Sequence, residues 1–130
     1  MAFVTDTHSL IWYIIGDDKI SPKVKDIFQN ADNAREVIII PCIVFFELLY
    51  LIEKKRLNID FQKFISSIGA AVNYKVEPLC LPIIEKCRSV LREDVPDPWD
   101  RLIVATSLHL GLPLLSKDER LHRLGLNVIW

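Results

Sequence analysis

Apolar residues in this chain fall in short blocks whose spacing alternates between that of a strand and that of a helix. Ala2-Phe3-Val4-Thr5 is short and β-prone, and predicts a first strand buried on both faces. Thr7 to Ile15 carries Leu10, Ile11, Ile14 and Ile15 at helical spacing, and Gly16-Asp17-Asp18 ends that helix. Ser21-Pro22 opens a second helix, the hydroxyl capping it and the proline taking its first position. It runs to about Ala31, with Val24, Ile27 and Phe28 on its apolar face. Val37 to Ile40 is all β-branched and predicts a central strand, stopped by Pro41. Cys42 to Lys55 is too long for one strand and reads as a helix, its terminal Lys54-Lys55-Arg56 suited to the negative end of the helix dipole.

The second half repeats this alternation. Asp60 caps a helix carrying Phe61, Phe64, Ile65 and Ile68. Tyr74 to Pro78 is a short strand, and Leu81 to Leu91 a helix with Ile83, Ile84, Cys87, Val90 and Leu91 inward. In Asp97-Pro98-Trp99-Asp100 the first aspartate caps, the proline takes the first helical position and Asp100 faces the free amides of the first turn. That helix runs to His109 or Leu110 and stops at Gly111. Leu112 to Ser116 is a strand, Asp118 starts a short helical turn, and Leu126 to Trp130 is a closing strand. Strands alternating with helices imply a parallel sheet with helices on both faces, but not the order of its strands. The 130 residues suit one domain, spanning 1–130 without linker or repeat.

Composition narrows the chemistry. Hydrophobic residues make up 51% and charged residues 25%, which excludes a disordered chain. The formal net charge is -1, so nucleic-acid binding must rest on local basic groups and bound metal. Cys42, Cys80 and Cys87 are odd in number and lack C-x-x-C spacing; they read as small core residues and point to a reducing cytoplasm. No apolar run is long enough to span a membrane, and no signal peptide is apparent.

Asp6, Glu47, Asp100 and Asp118 each sit where an apolar segment meets a loop or helix. Capping or dipole complementation explains any one aspartate alone, and Asp97 needs no other explanation. It does not explain their recurrence at the same end of successive strands, where the loops of a parallel sheet share one crevice. Glu47, flanked by Phe45, Phe46, Leu48 and Leu49, is either paired in a buried setting or on a thin solvent-facing stripe. Crowded carboxylates repel one another, and a divalent cation is the usual means of keeping them ionised. Arg101 and Lys117 adjoin candidate ligands and are candidates to meet a phosphate.

Val4-Thr5-Asp6-Thr7-His8-Ser9-Leu10-Ile11-Trp12, Phe46-Glu47-Leu48, the Asp97-to-Thr106 segment and Gly111-to-Asp118 together resemble a PIN domain of the VapC toxin type over essentially the whole chain. The resemblance implies a three-layer α/β/α sandwich with a five-stranded parallel sheet in the order 3-2-1-4-5. It implies ribonuclease activity with one or two Mg²⁺ or Mn²⁺ ions, and 5′-phosphate and 3′-hydroxyl products. It assigns the acidic quartet to Asp6, Glu47, Asp100 and Asp118, with Asp97 beside it and Ser116 bonding a ligand water. It also implies RNA as substrate, an antitoxin protein as partner and a homodimer. A rival reading is an interaction module whose acidic pocket and apolar groove receive an antitoxin peptide. A phosphatase reading is disfavoured because His8 stands where one common pattern has its second acid.

Overall fold

The computed structural model describes residues 1–130 and places strand β1 (Ala2–Thr5) at the centre of a five-stranded sheet. β1 pairs with β2 (Val37–Pro41) on one side and with β4 (Leu114–Leu115) on the other, Val4 facing both Ile39 and Leu114. β3 (Tyr74–Glu77) extends the sheet beyond β2, and β5 (Val128–Ile129) beyond β4. Every pairing is parallel, and the order β3-β2-β1-β4-β5 is the one the resemblance implies. The chain winds outward from β1 to β3, then crosses back to β4. This reversal leaves a crevice at the carboxyl ends of β1 and β4, where ligands bind in open α/β sheets.

Phe3, Val4 and Thr5 are all buried although successive side chains point to opposite faces, so helices cover both sides of the sheet. The core joins Val4, Ile38, Ile40 and Leu115 from the strands, with Leu121 added from a short helix near the C-terminus, to residues of the five longer helices. These helices are α1 (Thr7–Ile15), α2 (Pro22–Asp32), α3 (Cys42–Glu53), α4 (Phe61–Ala70) and α6 (Pro98–Leu110). α5 (Leu81–Lys86) and α7 (Glu119–Arg123) are short. Two-signal starts hold: Ser21 caps α2 ahead of Pro22, and Asp97 caps α6 ahead of Pro98.

The structure corrects several expectations. α5 stops at Lys86 and tightens into a 3₁₀ turn over Cys87–Ser89 instead of running to Leu91. The carbonyls of Cys87 and Val90 accept from the Arg101 guanidinium at 2.9 and 2.7 Å, partners an extended helix would not leave free. In consequence Ile83 and Val90 are buried, whereas Ile84 and Leu91 are exposed. Ile14 and Ile15 also face solvent at the end of α1. β4 is shorter than Leu112–Ser116 because the Leu112 amide closes the end of α6 on the Ser107 carbonyl and Pro113 has no amide to pair. The cysteines are not core residues: Cys42 is exposed and Cys80 and Cys87 are half-buried.

Candidate active site

Asp6 terminates β1 and caps α1, its carboxylate accepting from the Ser9 amide at 2.8 Å. One residue on, the buried Thr7 hydroxyl donates to Glu47 Oε1 at 2.7 Å. That bond spans 40 positions and ties the end of the central strand to the middle of α3. Asp100 lies in the first turn of α6, where Asp97 accepts from the Trp99 and Asp100 amides at 2.8 and 3.1 Å. Asp118 follows β4 and caps α7, its own amide donating to Ser116 Oγ at 3.2 Å. The topology thus brings Asp6, Asp100 and Asp118 to one crevice, whereas Glu47 lines an adjoining hollow with Asp97 and Trp99, near enough to feel the charges of Asp6 and Asp100. Asp6, Asp100, Ser116 and Asp118 line one cavity of about 500 Å³.

Their electrostatics differ. Burial pushes the Asp6 carboxyl upward, against the Ser116 and Ser9 hydroxyls, which favour its charged form. Glu47 is pushed up to about 7, first by burial and then by the charges of Asp100, Asp97 and Asp6, with the Thr7 hydrogen bond opposing. Asp100 is pushed up to about 6 by burial and by Asp97, Asp6 and Asp118. None of Asp6, Glu47 and Asp100 forms an ion pair with a lysine or arginine. His8 is near enough to favour the charged forms of Asp6 and Asp100 slightly. Asp118 behaves oppositely: Arg120 grips it through Nε at 3.2 Å and Nη2 at 3.0 Å, holding its carboxyl below the usual range.

No three histidine, cysteine, aspartate or glutamate side chains form a ready-made metal cage. The donors are nonetheless all hard oxygens, carboxylates backed by hydroxyls, the kind a small divalent cation accepts. That chemistry suits a small ion that keeps most of its waters and binds through few direct carboxylate contacts. Asp118 must release Arg120, or act through water, to take part.

Arg101 departs from the expected phosphate contact. Its guanidinium is spent on the backbone carbonyls of Cys87 and Val90, and so braces the segment after α5. Lys117 is exposed and free of ion pairs at the cavity rim. Asp97 is exposed and acts as a cap that also adds negative charge beside Glu47 and Asp100. Sequence reading missed Thr7 and Arg120. Thr7 carries no local mark of its bond to a residue 40 positions away, whereas the Asp118-to-Arg120 spacing did place a cation within reach of its acid.

Comparison with known proteins adds to this geometry. The family model described as PIN domain matches residues 3–126. Ribonuclease VapC22 of Mycobacterium tuberculosis is 26% identical over 117 residues, covering 89% of this chain and 86% of the relative. Among solved structures, VapBC2 from Rickettsia felis, bound to a promoter DNA fragment, superposes with a TM-score of 0.72 at 17% identity, covering 99% of this chain and 98% of that one. A toxin–antitoxin complex from Klebsiella pneumoniae gives 0.67 at 15%, covering 98% and 95%. VapBC-1 from nontypeable Haemophilus influenzae gives 0.66 at 17%, covering 99% and 97%.

Proposed function

The chain belongs to the PIN domain family, and on that premise we propose that it is a Mg²⁺- or Mn²⁺-dependent ribonuclease, the toxin of a toxin–antitoxin pair in the cytoplasm. The observation that carries this reading is a set of three carboxylates, Asp6, Glu47 and Asp100, pushed up first by burial and, at Glu47 and Asp100, also by neighbouring acids, with no lysine or arginine pairing any of them. Similarity to Ribonuclease VapC22 supports the substrate class.

One or two divalent ions, when bound, would supply Lewis acidity that activates water and offsets charge on the phosphate. Asp6, Glu47 and Asp100 are the residues that would hold such an ion, and Asp118 would join them if freed from Arg120. Thr7 fixes the direction of Glu47, and Ser9 and Ser116 favour the ionised form of Asp6. Lys117 offers its ammonium to the RNA backbone. Without a cation the acidic crevice repels a polyanion, so the same groups govern both binding and turnover.

Two partners belong to the proposal. An antitoxin helix fits the groove of about 670 Å³ between α1, α4 and β3, where Tyr13, Ile14, Phe64 and Ile68 offer an apolar lining. The similarity of fold to the Klebsiella toxin–antitoxin complex and to the Rickettsia and Haemophilus VapBC structures supports such a partner. A second copy fits the exposed apolar residues on neighbouring helices: Phe46 and Tyr50 of α3, Ile84 of α5 and Trp99 of α6.

The test is incubation of purified, antitoxin-free protein with a mixed RNA pool. Cleavage that stops in excess chelator and returns with Mn²⁺ is expected. Intact RNA under metal-replete conditions favours the rival reading, a partner-binding module, and undiminished cleavage in chelator contradicts metal dependence.

A further inference from the structure

Beside the acids, the cavity has a wall of different chemistry. His8 and Trp12, on successive turns of α1, lie with ring centroids 5.7 Å apart at a 51° tilt. Trp130 braces Trp12 edge-on at 5.7 Å and 68°. Two ammonium groups stand over the same indole, Lys117 Nζ at 5.7 Å and Lys19 Nζ at 5.8 Å from its centroid. Lys117 has no ion-pair partner, and Lys19 only a loose one in Asp17 at 3.7 Å. His8, Trp12 and Lys117 line the same cavity as Asp6 and Asp100.

Trp12 and Trp130 also pack against the core, which leaves the two ammonium groups over the indole as the part of the wall that packing does not require. A chain of net charge -1 has no global field to draw in a polyanion, so cations gathered beside the acids matter. Aromatic faces interleaved with lysines are the chemistry that holds unpaired nucleic-acid strands, with bases on the rings and phosphates on the cations. In a duplex the base faces are already stacked and unavailable.

We propose that His8, Trp12 and Lys117 form a subsite for one nucleotide of single-stranded RNA next to the phosphate that is cut, its base stacked on the Trp12–His8 wall and its phosphate on Lys117. This rests on the nuclease reading for its substrate class. The subsite positions the strand over the carboxylates and makes cleavage depend on an unpaired, base-bearing nucleotide at one place in the site.

The test is fluorescence anisotropy with a labelled single-stranded RNA in an Asp100→Asn background, which halts turnover and removes one repelling charge. An abasic nucleotide is moved along the strand one position at a time. One position is expected to weaken binding about tenfold, the scale of losing one base stack. Trp12→Ala should cause the same loss and make the scan flat, whereas Trp12→Phe should retain most of the affinity. Lys117→Ala should reduce the salt slope by about 0.7, the value for one phosphate contact on a single strand. Because Trp12 also packs against Trp130, the abasic scan with Trp12 intact decides the matter if Trp12→Ala fails to fold. A flat scan with Trp12 intact, or no RNA binding, overturns the subsite. RNA cleavage by the wild-type protein together with a flat scan removes the subsite and leaves the nuclease reading. A single sensitive position in a protein that cuts no RNA does the reverse.

Discussion

At the scale of single residues, Asp6, Glu47 and Asp100 are carboxylates kept in an unfavourable, buried setting. Glu47 at about 7 and Asp100 at about 6 hold protons that the unfolded chain would release. Between the unfolded and folded pKa values the native state therefore binds more protons, and metal-free stability falls as pH rises from about 4 through 7. Asp100→Asn removes part of that penalty. In chelator at pH 7.5 the variant should be more stable than wild type by on the order of 1 kcal/mol, after allowing for solvent screening. Urea denaturation reads this directly. The same variant should lose about 100-fold or more in RNA cleavage, the scale of deleting one charge-stabilising group. Thr7→Val tests the support of Glu47. Losing that hydrogen bond raises the Glu47 carboxyl further, so cleavage at pH 7 should fall several-fold and the pH–rate profile move upward. A superimposable profile counts against Thr7 as its orienting partner. Asp6, Asp100 and Asp118 were legible in the sequence because each lies at a strand end or a helix start, and Glu47, in mid-helix, because it is a lone charge among apolar neighbours. Thr7 was not, because its partner is adjacent only once the fold has formed.

At the scale of elements, the chain is legible where two local signals agree. Ser21-Pro22 and Asp97-Pro98 each combine a capping oxygen with a proline at the first helical position, and both start helices there. Gly111 ends α6 with φ 64°, a left-handed conformation that costs a residue with a side chain about 1–2 kcal/mol. Gly111→Ala should lower stability by about 1 kcal/mol without changing metal dependence, as denaturant midpoints and chelator titration would show. α5 misled the reading because its end is set by a tertiary partner: Arg101 takes the two carbonyls beyond it. Arg101→Met should therefore destabilise the fold by about 1–3 kcal/mol through unsatisfied carbonyls, while leaving the salt dependence of RNA binding unchanged. A smaller salt slope in this variant would restore Arg101 to the phosphate-binding set. The short strands β4 and β5 were overextended for a related reason, since apolar residues beyond them serve turns and packing rather than ladder bonds.

At the scale of the whole molecule, the parallel order β3-β2-β1-β4-β5 brings the remote Asp6, Asp100 and Asp118 to one cavity, with Glu47 beside it. Periodicity gave the elements and their parallel arrangement. The order came from resemblance, because short crossover connections fit more than one arrangement. The exposed aromatics on α3 and α6 belong to this scale as well. Light scattering after gel filtration should give twice the 15.0 kDa chain mass, and Phe46→Glu should halve it. The central claim is that Asp6, Glu47 and Asp100 gather one hydrated divalent cation. It is tested most directly by anomalous diffraction from crystals soaked in Mn²⁺. A manganese peak among these three carboxylates, lost in the Asp100→Asn protein, is the predicted result. Saturating Mn²⁺ with no peak there, in a protein that still cleaves RNA, would contradict it.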